Sequence, residues 1–487
     1  MEWGSTKTLS SSRSSTKSPS SSRGSVIFNR CVPDHNADAF RLPYEKGVGA
    51  ANSVISYLFE GFGRWDAQYF LHISLYGYTH ENTLAFFPLF PVLLRNSCTI
   101  LSIIFPFELS PLNCALLSGV LLNLFLTSLT AAALYKLTQN VFHSEIFAFT
   151  SALLFCINPA SIFFSALYSE SLFSLLTFCG LWALERNLFF ISLSGLALSA
   201  SVRSNGILSA GFLIYCILKK HINNVFILHN ITSKLNMFLF STLLLKSVAY
   251  LIMFMVPFII YQLHCYLLFC TSVFSEQDLP EIVDNFLTRN DLKIPSEPSK
   301  WCYWNIPLSY SYVQSRYWDV GFLHYYSFKQ IPNFLLAAPI IIIILVSCIK
   351  YFIKHRRELW LLGLFENKMY DTSDVFSNIK CFPYFLHIFF ATIFCILFIH
   401  IQVVTRMLCS SSPILYWVAT TAILPGNERA RFKLRKEHSH RNWLLDSLLF
   451  MKKIFLKSSI LGKITFCYFF SYFLIGTFLH VNFFPWT

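Results

Sequence analysis

Trp65 and Asp66 stand side by side in the stretch from Gly63 to Phe70. A carboxylate held within reach of a hydroxyl can take its proton as a general base. The same spacing lets Asp66 cap a helix beginning at Ala67, or pair with Arg64. Glu81 follows Gly77, Tyr78 and His80. Glu170 follows Tyr168 and Ser169, between two apolar runs. An ionisable group at membrane depth is costly and usually serves function; the plainer reading is an interfacial acid at a turn. Arg203 interrupts a long apolar stretch, flanked by Ser201, Ser204, Asn205 and Gly206. A guanidinium fork donates two parallel hydrogen bonds, which suits phosphate. A salt bridge to Glu170 is the alternative, and both can hold in turn. Arg406, after Val404 and Thr405, reads as a cation at a span end. It either binds phosphate or snorkels to the interface. Arg64 and Arg316 stand behind these two as further cations.

A different chemistry is written in Trp301, Tyr303 and Trp304, followed by Tyr310, Tyr312, Gln314, Tyr317 and Trp318. Aromatic faces with hydroxyls and amides between them suit sugar rings. They suit an interfacial aromatic belt equally well. The fourteen Cys form no CxxC pair and show no zinc-type spacing. Most lie in apolar runs, where Cys behaves as a small hydrophobe. There is no P-loop, no nucleotide-binding GxGxxG and no HExxH. No metal and no cofactor is therefore expected, and a nucleotide donor is disfavoured.

The elements that position these residues must lie in lipid. Of 487 residues, 55% are hydrophobic and 13% charged, against about 25% charged in soluble proteins. Apolar runs recur at about the 20 residues needed to cross a bilayer. The 52 Phe and 23 Tyr fit lipid-facing helices with aromatic edges. The net charge of +13 would point to nucleic acid in a soluble protein. Here the basic residues cluster between apolar runs, so they report topology and no nucleic-acid partner is expected. The fold class is an all-α polytopic membrane protein with about ten transmembrane helices. Candidate spans are roughly 112–135, 146–157 with its continuation, 171–184, 188–201, 205–218, 236–270, 334–353, 385–402, 408–424 and 462–482. The run 84–105 holds Pro88, Pro91 and Arg95 and reads as interfacial or re-entrant. Residues 1–30 form a basic, Ser-rich tail that reads as disordered, and 31–487 form the multi-span domain.

Loop charge orients the set. Lys350, Lys354, Arg356 and Arg357 follow one span, and a basic loop of about 427–459 precedes the last. Lys219, Lys220 and Lys234 bracket a third loop. These belong in the cytosol, as does the sequon at Asn230 and Thr232. The opposite face then receives the first loop at about 41–83, the turns near 157–171, 201–205 and 403–410, and the long loop at about 271–333. These segments carry all the candidate chemistry. That face is luminal or extracytoplasmic.

The residues from Arg64 to Leu71, Gly77 to Glu81 and Ala85 to Pro91 resemble the first luminal loop of the PIG-V family of GPI mannosyltransferases. The order continues with Asn158–Pro159, Tyr168–Glu170, Ser201–Gly206, Tyr310–Gln314, Tyr317–Phe322, Lys329–Pro339, Arg406 to Trp417, and Asn482–Thr487. The resemblance is collinear over about 30–487. It implies a GT-C type glycosyltransferase of the endoplasmic reticulum, with its active site on luminal loops. It implies transfer of the second, α-1,6-linked mannose from dolichyl-phosphate mannose to a mannosylated glucosaminyl-phosphatidylinositol lipid. Asp66 matches the acidic position of the first luminal loop and is the expected general base. Arg203 and Arg406 are expected on the donor phosphate, with Arg64 and Arg316 in support. Trp65, Glu81, Glu170, Tyr310 and Gln314 are expected around the sugars and the acceptor. The reading leaves room for a small membrane subunit beside the chain.

One feature departs from the family pattern. An apolar first span is implied ahead of Pro33, Asp34 and His35, yet the Ser-rich basic tail takes that place and only Val26, Ile27 and Phe28 are apolar. A luminal first loop then requires a luminal N-terminus. Two other classes fit the bare residues: a membrane transporter of lipid or sugar, and a non-catalytic subunit of a transferase complex. A transporter often carries paired internal repeats, and none is visible here. A non-catalytic subunit would tolerate replacement of Asp66.

Overall fold

The computed structural model describes residues 40–44, 47–105, 108–227, 233–271, 279–295, 298–360, 362–364, 374–424, 443–484 and 486, the side chains of 223–240 and 441–448 excepted. The tail, the Asn230 sequon and most of the basic loop before the last span lie outside the described residues. Among those described, every regular element is helical and there is no strand.

The first loop contains α1 (Ala50–Phe59) and α2 (Ala67–Tyr76). Then come α3 (Leu89–Ile104), α4 (Pro111–Phe142), α5 (Glu145–Cys156), the single turn α6 (Ile162–Ser165), α7 (Glu170–Glu185), α8 (Phe189–Ser199), α9 (Ala210–Ile227) and α10 (Ser233–Cys270). The long loop carries α11 (Glu281–Arg289) and α12 (Ser309–Trp318). The chain closes with α13 (Ile331–Lys354), the turn α14 (Arg356–Leu359), α15 (Phe382–Phe398), α16 (Ile401–Ser411), α17 (Ile414–Ile423), α18 (Trp443–Lys457) and α19 (Ile460–Val481).

Helix ends follow local chemistry. The Ser110 side chain caps α4 and Ser144 caps α5, each satisfying a backbone N–H that the helix itself leaves unpaired. His143 ends α4 in the left-handed conformation. Among the described residues, five stretches are long and apolar enough to cross a membrane: Pro111–Phe142, Ser241–Cys270, Phe328–Lys354, Ile379–Phe398 and Ile460–Val481. The helices α3, α5, α8 and α17 are apolar but shorter. The 16 residues of α3 reach about 24 Å, less than the roughly 30 Å hydrocarbon core. Arg95 of α3 donates to the carbonyls of Ser74 and Leu75, at 2.6 and 3.1 Å.

One expectation needs correction. Residues near 403–410 were expected as a loop leading into a single span over 408–424, with Arg406 at a span end. Instead α16 covers Ile401–Ser411, and the chain breaks before α17. Ser412 is extended there and its hydroxyl accepts from Ile414 N–H. Pro413 has no N–H to continue the helix. Arg406 therefore projects from mid-helix into the protein.

The core is organised around α4 and α7, which pack along each other, with α3 and α5 on α4 and with α8 and α16 on α7. Buried polar groups fix the register. Asn123 of α4 donates to the carbonyls of Ala166 and Tyr168 and accepts from Ser171. Ser174 of α7 donates to the Ser410 carbonyl of α16 at 2.9 Å. Among the described residues there are two disulfides: Cys98–Cys114 joins α3 to α4, and Cys270–Cys302 joins the end of α10 to the long loop. Cys409 is a free, buried thiol.

Candidate active site

Four separate segments line one cleft, and the Arg203 turn stands behind it. The first is the turn before α2. Trp65 takes a left-handed conformation, φ 58°, which disfavours a residue with a Cβ by about 1–2 kcal/mol and is typical of functional turns. The Tyr168 hydroxyl donates to the Arg64 carbonyl at 3.3 Å, and Leu167 N–H donates to the Phe62 carbonyl. The turn is thus pinned to the α6–α7 connection. Asp66 occupies the cap position of α2 yet makes no side-chain cap. Its Oδ2 accepts from Arg406 Nη2 at 2.7 Å, across 340 residues of chain.

Arg406 is the hub. Its Nε lies 3.7 Å from Glu170 Oε1. Its guanidinium also sits 5.2 Å from the Phe163 ring centroid and 5.4 Å from that of Tyr168, a favourable cation–π arrangement. Glu170 begins α7, where the helix dipole favours an anion. It is fully buried, and the same Oε1 accepts from Arg203 Nη1 at 2.5 Å. Glu170 Oε2 is buried with no partner among the described residues. Arg203 reaches Ser169 Oγ and Asn205 Oδ1 as well, each at 3.4 Å.

The turn that presents Arg203 depends on Gly206. A Cβ there would lie 2.7 Å from the backbone of Ser199 and Ala200. Asn205 donates to Ser411 Oγ of α16 at 3.0 Å, and Ser204 shares a 2.7 Å hydrogen bond with the Tyr310 hydroxyl. Burial pushes that hydroxyl above its usual pKa, so it stays protonated. The result is a chain of alternating charge: Asp66, Arg406, Glu170, Arg203. Two acids balance two bases, which is what a site with little water requires.

The cleft beside this chain is small, about 50 Å³, and is lined by Trp65, Asp66, Phe163, Tyr168, Gln402, Val403, Arg406, His480 and Trp486.

The expected site residues divide. Asp66, Trp65, Glu170, Arg203 and Arg406 come together, and Tyr310 buttresses the Arg203 turn. Arg64 points to Glu60, at 3.9 Å, and stacks 4.2 Å from the Phe483 ring centroid. Glu81 is buried in another way: it accepts from Ser299 Oγ, from Trp301 Nε1 at 3.0 Å and from the Tyr317 hydroxyl at 2.8 Å. It locks the long loop onto the first loop and does not line the cleft. Gln314 is half-buried on α12, where its carbonyl accepts from Val320 N–H at 3.2 Å. Arg316 is exposed on the same helix and is also outside the cleft lining. His480, Gln402 and Phe163 were not singled out by sequence. A lone His closing an apolar helix was the only available signal. No group of three or more metal-capable side chains occurs among the described residues.

The family model described as mannosyltransferase (PIG-V) matches residues 25–487. The chain belongs to the PIG-V mannosyltransferase family. The mouse GPI alpha-1,6-mannosyltransferase 2 is 36% identical over 485 residues, 95% of each chain. The human protein of that name is 35% identical over 482 residues, again 95% of each. The Drosophila melanogaster GPI mannosyltransferase 2 is 33% identical over 476 residues, 95% of this chain and 96% of that one. No solved structure matches. Membership of the PIG-V family makes the chain a membrane glycosyltransferase, not a transporter.

Proposed function

We propose that this chain adds the second mannose, in α-1,6 linkage, to the glycosylphosphatidylinositol precursor, taking it from dolichyl-phosphate mannose at the luminal face of the endoplasmic reticulum. The observation that carries the reading is the Asp66–Arg406 pair on the wall of the cleft, backed by Glu170 and Arg203. It joins a candidate base to a candidate phosphate ligand.

The donor is β-linked and the product α-linked, so a single in-line displacement suffices. The acceptor 6-hydroxyl oxygen forms the bond to mannose C1 and gives its proton to Asp66. The bond from C1 to the phosphate oxygen breaks, and its electron pair leaves with dolichyl phosphate. Fixed positive charge near that oxygen stabilises the developing anion. Arg406 supplies it, with Arg203 behind. Since the four charged groups balance without ligand, the donor phosphate competes with Asp66 for Arg406. Donor binding then releases the carboxylate for its role as base. Glu170, whose Oε2 is buried with no partner among the described residues, backs Arg406 from behind the cleft lining.

A topology of about ten crossings takes α4, α10, α13, α15 and α19 as full spans and α5, α7, α8, α9 and α17 as short ones. The start of α2, the start of α7, the α8–α9 turn, α16 and the end of α19 then share the luminal side. Two disulfides on that side favour this orientation, because they persist in oxidising compartments.

The test uses microsomes lacking the endogenous activity, supplied with dolichyl-phosphate mannose and a monomannosylated precursor. Chain-dependent dimannosyl product is expected, and its absence defeats the reading. Asp66→Asn should accumulate normally and yield no product. Wild-type rates from that variant would remove Asp66 from catalysis.

A further inference from the structure

His480 closes α19 and is 1% exposed. Its Nε2 is buried without a hydrogen-bond partner among the described residues. A buried ring nitrogen left in this state has lost water and gained nothing in return. The ring lies on the wall of the cleft that holds Asp66 and Arg406. It packs edge-on against Phe163 and Tyr168, each centroid 5.6 Å away. These are the two rings that also carry the Arg406 guanidinium. His480 and Arg406 therefore share one aromatic support and face one space.

The support behind His480 is rigid. The His480 carbonyl accepts from Asn482 N–H, and Asn482 Nδ2 donates to the Phe478 carbonyl at 2.8 Å. Phe484 N–H returns to the Leu479 carbonyl at 2.9 Å. Trp486 folds back onto α19, where a Cβ at Gly476 would lie 2.5 Å from the indole. Residues 482–484 and Trp486 thus back His480.

We propose that His480 donates a hydrogen bond from Nε2 to the phosphate of the bound donor lipid, forming with Arg406 an anion subsite at the end of α19. The proposal rests on the transfer reaction set out above. Arg406 donates from Nη2 to Asp66 and its Nε lies 3.7 Å from Glu170, while its Nη1 makes no hydrogen bond among the described residues. A neutral imidazole protonated at Nε2 adds a second N–H donor on a ring that lines the same cleft as Arg406. Two such donors, one charged and one neutral, match the oxygens of a phosphate diester. They also match those of the monoester that departs. A sugar hydroxyl could accept from His480 alone, but it would leave Arg406 Nη1 without an anion.

The test compares wild-type chain with His480→Phe, which keeps the ring's bulk, and His480→Gln, which restores an N–H near the position of Nε2. The full-length chain is purified in detergent. Binding of dolichyl phosphate is read by thermal stabilisation, and transfer by the microsomal assay. His480→Phe should weaken dolichyl phosphate binding about tenfold, as expected for a hydrogen bond to a charged group. It should raise the KM for dolichyl-phosphate mannose by a similar factor and leave the KM for the acceptor unchanged. His480→Gln should recover most of both. Unchanged dolichyl phosphate binding in His480→Phe overturns the proposal, even if the donor KM rises, since that pattern belongs to a sugar contact. Failure of both variants to accumulate also overturns it, by assigning His480 to the fold. Wild-type chain that binds dolichyl phosphate through His480 yet makes no dimannosyl product would defeat the assigned reaction and leave this subsite standing.

Discussion

Arg203 and Glu170 illustrate how one side chain's role depends on its partner. Glu170 is fully buried and accepts from Arg203 at 2.5 Å. Removing one member of a buried pair strands the other charge, at a cost of about 3–5 kcal/mol. Arg203→Ala should therefore lower both the amount of folded protein and its activity. Arg203→Lys keeps the charge but gives up the fork that also reaches Ser169 and Asn205. It should retain most of the protein level and lose activity. A quantitative membrane blot beside the transfer assay separates the two. Equal losses of protein in both variants would make Arg203 purely structural. The charge chain as a whole was only half legible in the sequence. Each of Asp66, Glu170, Arg203 and Arg406 stands out as a charge among apolar or aromatic neighbours. The sequence allows the Arg203–Glu170 pairing as one of two readings of Arg203. The Asp66–Arg406 pairing was not visible, because 340 residues separate the partners and no local pattern encodes such a contact. His480 was missed for the opposite reason, since one His at a helix end has no distinguishing spacing.

At the scale of elements, the first loop holds two buried clusters, and one of them docks the long loop. Glu81 takes three side-chain donors from the long loop, and its own N–H donates to the Lys293 carbonyl at 2.9 Å. Glu81→Gln keeps the volume and loses the charge that strengthens these bonds. A loss of about 2–4 kcal/mol in loop docking follows, and protease cleavage within 279–318 should speed up while the helices stay protected. Unaltered cleavage would mean that Glu81 does not hold the loop. The second cluster is His72, Thr79 and His80, linked at 2.7 and 2.9 Å. Burial pushes His72 down to about 4 and His80 well below its ordinary value, with His72 adding to the latter. The unfolded loop binds protons near pH 6.5 and the folded loop does not. Stability is therefore complete above that pH and falls as pH drops from about 6.5 toward 4, by about 1.4 kcal/mol per unit for each ring. Melting of the purified chain at pH 7.5 and pH 5 should show this loss, and His72→Phe should shrink it. The helices themselves were largely legible, because hydropathy fixes the long spans directly. The break at Ser412 and Pro413 was misjudged because the apolar run continues through it, and only the missing N–H of Pro413 marks the stop.

Across the whole molecule, charge and chemistry separate onto opposite ends of the helices. Arg356, Arg357 and Lys354 close the α13–α14 end, where Lys354 approaches Asp374 at 3.9 Å. Tyr384 meets the far end of α7 there, donating to Glu185 at 2.7 Å. At the other end of α7 lies Glu170, and with it the cleft. This polarity makes orientation testable without activity. Asn305 is exposed in the long loop and is followed by Ile306 and Pro307. Pro307→Ser completes an acceptor sequon for N-glycosylation on a surface that folding does not hide. On the luminal assignment, that variant should gain a glycan that endoglycosidase removes, while Asn230 of the native chain carries none. The same preparation, digested without reductant, should yield peptides joined through Cys270 and Cys302. Glycan on Asn230 with none on Asn305 would invert the molecule and move Asp66, Arg406 and the cleft to the cytosolic side. A donor on that side would then have to be sought afresh, because the site travels with the loops that build it.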